Sequence, residues 1–237
     1  MSALLAGALA GFLVFAGHTW KVIPLIANAE LYEVVKPQLH GHAHNATSDK
    51  PEAPASERQR EHLHNDGNEW GPTDGFERNA FTLLSDVIMA IGFAFLLGGA
   101  MVLSGQELGW KRGMVWGLCG YVALYLAPAF GLSPELPGMA AADLPARQGW
   151  WLSTAVLTTS GLAGLFFLSR LIWKVLAVAL LLAPHLIGAP HLPVNPGALP
   201  AELAAQFAVV TLVITAIFWL CLGAMSGYFL DRFKETG

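Results

Sequence analysis

The chain has 237 residues, of which 54% are hydrophobic and only 13% are charged. Soluble domains carry about 25% charged residues, so the composition excludes an ordinary soluble globular protein. The formal net charge of −4 offers no basic excess for binding nucleic acid, and no nucleic-acid partner is expected. Cys119 and Cys221 both fall inside apolar stretches, which favours two buried free thiols over a disulfide framework.

Six apolar stretches are each long enough to cross a bilayer. A hydrocarbon core of about 30 Å needs about 20 apolar helical residues, and lipid offers no partner for an unpaired backbone group. The sequence therefore predicts an all-α fold, a polytopic helix bundle that forms a single membrane domain over residues 1–237. The six predicted spans are residues 3–26, 80–103, 113–132, 151–168, 171–187 and 205–230.

A count of five spans is the alternative, in which residues 151–187 hold one span and a re-entrant piece. The polar break at residues 169–174 favours six. With six spans, the loops alternate between basic and poorly basic along the chain. Lys and Arg are enriched in cytoplasmic loops, so the basic loops are assigned to the cytoplasmic side. We therefore expect both termini to be cytoplasmic and residues 27–79 to form an external loop. This topology places three basic pairs on the cytoplasmic side, namely Lys111 and Arg112, Arg170 and Lys174, and Arg232 and Lys234.

The external loop is rich in histidine. Residues 47–60 consist mainly of Pro, Ala, Ser and charged residues, a composition typical of a disordered linker. Imidazole suits divalent Zn, Cu, Ni and Co, and alternating residues of an extended segment point the same way. We therefore predict a metal-capture loop, with a merely soluble His-containing loop as the alternative. The predicted ligands are His40, His42, His44, His62 and His64.

Three ionisable side chains fall inside predicted spans at a similar depth in the outer half. They are His18, Asp86 and His185. Such groups are costly in lipid and are expected to face the bundle interior or water. Met89 follows Asp86 by three residues and should share its helix face. The sequence predicts that these four side chains form one intramembrane entry site for a soft-to-borderline divalent cation.

Each of these residues also has a structural interpretation. His18 could hydrogen-bond a neighbouring helix, and Asp86 could pair with Arg78 or Lys21 at the interface. His185 follows a helix-breaking proline and could cap freed carbonyl groups, while Met89 could simply fill space in the packing.

Three further residues are weaker candidates for an outer vestibule. Glu30 lies just beyond the first span and could hand an ion from the loop to the intramembrane site. Glu135 and His191 lie in the two proline-rich outer loops. Arg147 is the only basic residue in its loop, and we expect it to pair with Glu135 or Asp143 and so close that loop.

Taken together and in this order, five segments resemble the CbtA family, a predicted membrane subunit of a cobalt transporter. They are AELYE at 29–33, the His-bearing loop, GLSPELPG at 131–138, RQGWW at 147–151 and PHLIGAPH at 184–191. The resemblance implies a protein of the bacterial inner membrane that is associated with vitamin B12 metabolism. It also implies a partner, CbtB, which is a small one-helix membrane subunit with its own His motif. Family members are often described with five spans.

The expected function is therefore that of a membrane subunit of a cobalt transporter, which captures the ion at the external loop and passes it inward. Ni²⁺ and Zn²⁺ are alternative substrates, no permanently bound cofactor is expected, and the chain could also form a homo-oligomer in membrane lipid. One alternative is a haem-binding redox protein with His18 and His185 as axial ligands. Another is a non-transporting metal sensor or chaperone. No enzyme is expected, because no nucleophile–base pair and no H-E-x-x-H motif occurs.

Overall fold

The computed structural model describes residues 1–40, 72–73, 75–191 and 199–234, and within these ranges every regular element is a helix. The residues form a polytopic membrane helix bundle. Two of its helices are interrupted by single turns of π-helix, in which the backbone bonds span five residues instead of four. The elements are α1 Ser2–Gly17, a first π turn His18–Val22, α2 Ile23–His40, α3 Phe76–Leu103, α4 Trp110–Tyr121, a second π turn Val122–Leu126, α5 Ala127–Ala129, α6 Leu144–Phe167, α7 Leu171–Ile187 and α8 Ala201–Lys234.

All six predicted apolar stretches are helical. Four helices are long and apolar enough to cross a membrane, namely Ser2–Tyr32, Phe76–Leu103, Leu144–Phe167 and Ala201–Phe233. Leu171–Ile187 is a shorter apolar helix with the predicted bounds. It is separated from α6 by residues 168–170, so residues 151–187 form two helices and not one. The total of six spans stays a prediction.

The first helix is longer than predicted. α1, the first π turn and α2 follow one another without a break from residue 2 to residue 40, which corresponds to roughly 60 Å at 1.5 Å per residue. Residues 27–40 of the predicted external loop therefore continue the helix. Of the capture-loop histidines, His40 is the last residue of α2, whereas the other four lie outside the described residues.

The two ends of the bundle differ in sequence. Ser2 donates its hydroxyl hydrogen to the carbonyl of Phe229 at 3.3 Å, so the start of α1 and the last turns of α8 lie together. Gly109 packs beside Gly227 of the same region. We call this end, which also carries the turns at residues 104–109 and 168–170, the basic end. The opposite end, with residues 130–143 and 188–191, is called the loop end.

Glycines set the closest helix contacts. A Cβ atom at Gly117 of α4 would overlap the carbonyl of Trp219 in α8, and Gly113 and Gly223 face each other in the same way. A Cβ at Gly11 of α1 would lie 2.6 Å from the Cα of Val87 in α3. Small residues let helix backbones approach closely in membranes, where lipid supplies little hydrophobic drive for association. The α4–α8 and α1–α3 pairs therefore form the centre of the bundle.

The central core fills the space between these pairs with large side chains. Trp219 and Leu222 of α8 and Met101 of α3 are almost fully buried. The ring of Phe93 lies 4.9 Å from that of Trp219 and 6.4 Å from that of Tyr125, measured between centroids. The α6–α7 pair stands apart from this core and joins it mainly through the second π turn and α5, close to the loop end.

We predict that Gly117→Ala destabilises the bundle, because its new methyl group would overlap the Trp219 carbonyl, a backbone atom that cannot rotate away. Overpacking of this kind typically costs about 1–3 kcal/mol. The measurement is the midpoint of thermal unfolding in detergent, together with the monodisperse fraction. Gly99→Ala is the matched control, since its new methyl group would enter open space. Equal midpoints for the two variants would contradict the assigned helix contact.

Candidate functional site

His18 and Asp86 form a polar contact at membrane depth. The His18 Nδ1 atom lies 3.0 Å from the Asp86 Oδ2 atom, and the two side chains are only 26% and 15% exposed. His18 lies about 24 Å along the helix from Ser2, and Asp86 about 26 Å from Leu103, at 1.5 Å per residue. Both residues therefore sit in the half of the bundle nearer the loop end, as predicted from the sequence.

The local backbone explains why this contact forms. Gly11 lets α1 pack against α3 so closely that its Cβ would lie 3.2 Å from the carbonyl oxygen of Asp86. Gly17, directly before His18, is in tight contact with Ile214 of α8. His18 then begins the first π turn. Two close helix contacts thus hold the His18 backbone between α3 and α8, and the imidazole reaches the carboxylate.

The second π turn adds another polar group to this region. Tyr125 lies in Val122–Leu126, and its phenol is within electrostatic reach of the Asp86 carboxylate. Single π turns inside α-helices occur frequently at functional sites. His18 begins the first π turn, and Tyr125 lies in the second. Sequence analysis missed Tyr125, although a phenol in the middle of an apolar stretch was the available signal.

Two predicted partners are not part of this contact. Met89 is 59% exposed, so it does not share the buried surroundings of Asp86. His185 is exposed in the last turn of α7, where its ring lies 6.0 Å from that of Phe130 and 6.3 Å from that of Trp150. The described ranges contain no group of three or more His, Cys, Asp or Glu side chains that could hold a metal ion. In the described residues, the four side chains are therefore not gathered in one pocket, and the predicted ion contacts of Met89 and His185 stay a prediction.

The physical reason is that two residues at the same depth in the membrane can lie on helices that do not contact each other. His185 has the expected depth, but α7 packs chiefly on α6 and makes no extensive contact with α1 or α3. Pro184 also does not end α7, which continues to Ile187 and stops at Gly188 with a positive φ of 87°. The haem alternative required His18 and His185 to face one porphyrin. The position of His185 beside Phe130 and Trp150, on a helix that packs chiefly on α6, does not favour it.

The weaker vestibule candidates occupy separate positions at the loop end. Glu30 of α2 pairs with Arg78 of α3 at 2.8 Å. Glu135 accepts a hydrogen bond from Arg147, which confirms the predicted loop-closing pair. Asp143, the alternative partner of Arg147, instead caps α6 by accepting the Ala146 N–H at 3.4 Å. His191 is exposed at the edge of the described range.

A hollow of about 510 Å³ opens between α2 and α8 at the loop end. Its polar lining comes from Asn28 and Tyr32 on one side and from Glu202 and Gln206 on the other. Glu202 and Gln206 are four residues apart and share a helix face. Sequence analysis missed this hollow, because the residues are separated by more than 150 positions and only the fold brings them together.

The His18–Asp86 pair has the chemistry of a partial metal site. A neutral imidazole that donates its Nδ1–H to a carboxylate presents the lone pair of Nε2 to a metal, and such pairing orients the ring and raises its basicity. Imidazole nitrogen is a good ligand for divalent Co, Ni and Zn. One protein nitrogen leaves most coordination positions to water or to groups that approach with the ion.

The family model described as "Probable cobalt transporter subunit (CbtA)" matches residues 1–231 of the chain. Comparisons with curated proteins and with solved structures return no match. The matched range includes His18, Asp86, Tyr125 and the whole lining of the hollow.

We predict that the His18–Asp86 contact contributes measurably to folding. A double-mutant cycle with His18→Ala and Asp86→Ala should give a coupling of about 0.6–1.7 kcal/mol, the range found for hydrogen bonds inside membranes. Unfolding in mixed micelles with increasing SDS provides the free energies. The Arg112–Glu107 pair, at 3.5 Å with Glu107 91% exposed, is the control and should show coupling near zero. Coupling no larger than in this control would contradict the contact.

Proposed function

The chain belongs to the CbtA family, and we propose that it carries Co²⁺ inward across the bacterial inner membrane past the His18–Asp86 pair. The family is one of transporter subunits, which is not an enzyme class. The observation that carries the proposal is the 3.0 Å contact between an imidazole and a carboxylate inside the apolar bundle. Ionisable groups at membrane depth are rare and mark ion pathways, because each must be compensated against its loss of hydration.

The proposed route begins at the loop end. The His-rich segment with His40, His42, His44, His62 and His64 captures the ion outside the membrane. The hollow then offers the Glu202 carboxylate and the amide oxygens of Asn28 and Gln206 to a hydrated cation. Carboxylate and carbonyl oxygens suit a hydrated divalent ion, and imidazole suits a partly dehydrated Co²⁺. The order of ligands therefore matches a stepwise loss of water toward His18.

The roles of the remaining predicted residues follow from their positions. Glu30 is held by Arg78 and helps to position α2 against α3 at the entry. Glu135, held by Arg147, keeps the outer loop closed, and Leu136 in that loop is buried against α2 and α8. Met89, His185 and His191 are proposed as secondary contacts of the ion outside the central pair.

The driving force does not require ATP. The sequence contains no G-x-x-x-x-G-K-[ST] phosphate-binding motif. A dipositive ion that moves inward through a potential of 100 mV gains about 4.6 kcal/mol, twice the roughly 2.3 kcal/mol for one elementary charge. We propose that the membrane potential or a partner subunit supplies the energy.

The partner and orientation follow from the family and from charge. A transporter subunit acts with another subunit, and we propose a one-helix, His-bearing membrane protein of the CbtB type. Positive charge gathers in cytoplasmic loops. Because the start of α1, the end of α8 and the basic turns share one end of the bundle, we propose that both termini face the cytoplasm and that residues 41–71 face outward.

We predict that Asp86→Ala abolishes Co²⁺ uptake while the amount of protein in the membrane stays normal, because the ion would lose the group that orients His18. The measurement is uptake of radioactive Co²⁺ into vesicles with and without the partner, with Ni²⁺, Zn²⁺ and Cu²⁺ as competitors. Glu107→Ala is the control, since this exposed carboxylate lies at the basic end. If Asp86→Ala takes up Co²⁺ at the parental rate, the ion path lies elsewhere. If neither the parent nor any variant takes up Co²⁺, the result favours a metal sensor or chaperone.

We also predict that changing His40, His42 and His44 together to Ala raises the Co²⁺ concentration for half-maximal uptake and leaves a residual flux. Removal of capture ligands lowers the local ion concentration without altering the intramembrane step. The same uptake assay gives both quantities. Changing His191 alone to Ala should have a smaller effect, and an unchanged half-maximal concentration in the triple variant would exclude the capture role.

A further inference from the structure

A second large concavity lies at the other end of the bundle. It is a groove of about 340 Å³ between α3, α4 and α6. Leu97, Ala123 and Trp219 form a buried floor, whereas Leu96 and Phe166 at the rim are mostly exposed. The groove is therefore apolar and open sideways at the depth of the spanning helices, where lipid is the surrounding solvent.

The groove exists because the α6–α7 pair diverges from α4. This pair is attached to the bundle mainly through the second π turn and α5, near the loop end, and has few contacts along α4. Nearer the basic end, Trp116 of α4 and Phe167 of α6 approach each other with ring centroids 6.3 Å apart. Among the described residues, no side chain fills the space between these two attachments.

The strongly polar lining is concentrated at one end of the groove. Gln106 and Arg112 line the mouth at the basic end. The Arg112 Nη1 atom donates to the carbonyl of Glu107 at 2.8 Å and lies 3.5 Å from its mostly exposed carboxylate. A guanidinium has five N–H donors, so most of them remain for an anion at the mouth. Lys111 precedes Arg112 in α4, so the formal charges of Glu107, Lys111 and Arg112 leave this end of the helix net positive.

We propose that this groove binds one acyl chain of an anionic membrane phospholipid, with the lipid phosphate held by Arg112. A long apolar body with a single anionic head matches an apolar trough with a basic mouth. Basic pockets between membrane helices on the cytoplasmic side bind anionic lipid headgroups. A transmembrane helix of another protein would need no anion at the mouth, so the charge favours a lipid as the occupant.

The test uses the whole chain, reconstituted in vesicles of equal parts phosphatidylglycerol and phosphatidylcholine and then extracted in mild detergent. Native mass spectrometry counts the retained lipids. The parent should retain one phosphatidylglycerol. Arg112→Gln should lower this retention about tenfold, because charge-assisted bonds to phosphate are lost. Ala163→Trp should remove the lipid altogether, since Ala163 lines the groove and an indole would fill it.

Two matched controls separate the groove from general effects. Arg170→Gln removes an equal charge at the same end without touching the groove lining, and Val156→Trp adds an indole to an exposed position of α6 outside the groove. Both should retain the lipid like the parent, and all four variants should elute as monodisperse protein. Equal retention of both lipids, or equal retention in all variants, would overturn the proposal. If the helix of a partner subunit displaces the bound phosphatidylglycerol, the groove would be assigned to that helix and the proposal would be overturned.

Discussion

The bundle depends on backbone-to-backbone contact between helices that carry glycine at the crossing. Lipid tails are as apolar as the helices themselves, so packing contacts must hold the helices together. Gly113 and Gly117 bring α4 onto α8, while Gly7 and Gly11 bring α1 onto α3. The second of these crossings also sets the distance between His18 and Asp86, which lie within two turns of it. The His18–Asp86 contact is thus a consequence of the helix contact.

Buried hydroxyl groups are spread over α1, α6 and α8 in the described residues, whereas His18 and Asp86 pair with each other. His18 and Tyr125 each lie in one of the two π turns that interrupt otherwise regular helices, and His18 contacts Asp86. A π turn widens the helix by one residue and changes the direction of the side chains that follow. Two π turns in one bundle are a substantial departure from ideal helix geometry. Single π turns are frequent at functional sites, so the position of His18 in one of them supports the proposed ion path.

The sequence predicted well how deep each ionisable side chain lies in the membrane, and it predicted poorly which helices lie next to each other. Hydropathy located the apolar stretches of the described helices, because a span must be apolar over about 20 residues wherever it lies in the bundle. It did not predict the continuation of the first helix to residue 40. It also identified His18 and Asp86 as facing inward, since a charge that faces lipid is expensive. It could not show that α7 packs on α6 and carries His185 toward Phe130 and Trp150. That information depends on which helices are adjacent, and single-sequence patterns contain little of it. The same limit hid the hollow formed by Asn28, Tyr32, Glu202 and Gln206.

The length of the first helix has a consequence for where ions are collected. About 20 residues of it suffice to cross the hydrocarbon, so the part from residue 26 to His40 extends roughly 20 Å farther along the axis. Surface potentials of anionic lipids decay over a Debye length of about 8 Å at physiological salt. For a helix that runs along the membrane normal, the end of α2 therefore lies roughly two and a half Debye lengths beyond the hydrocarbon. In the proposed capture role, the histidines at and after His40 would meet an ion concentration closer to that of the bulk medium than to that of the enriched layer at the membrane face.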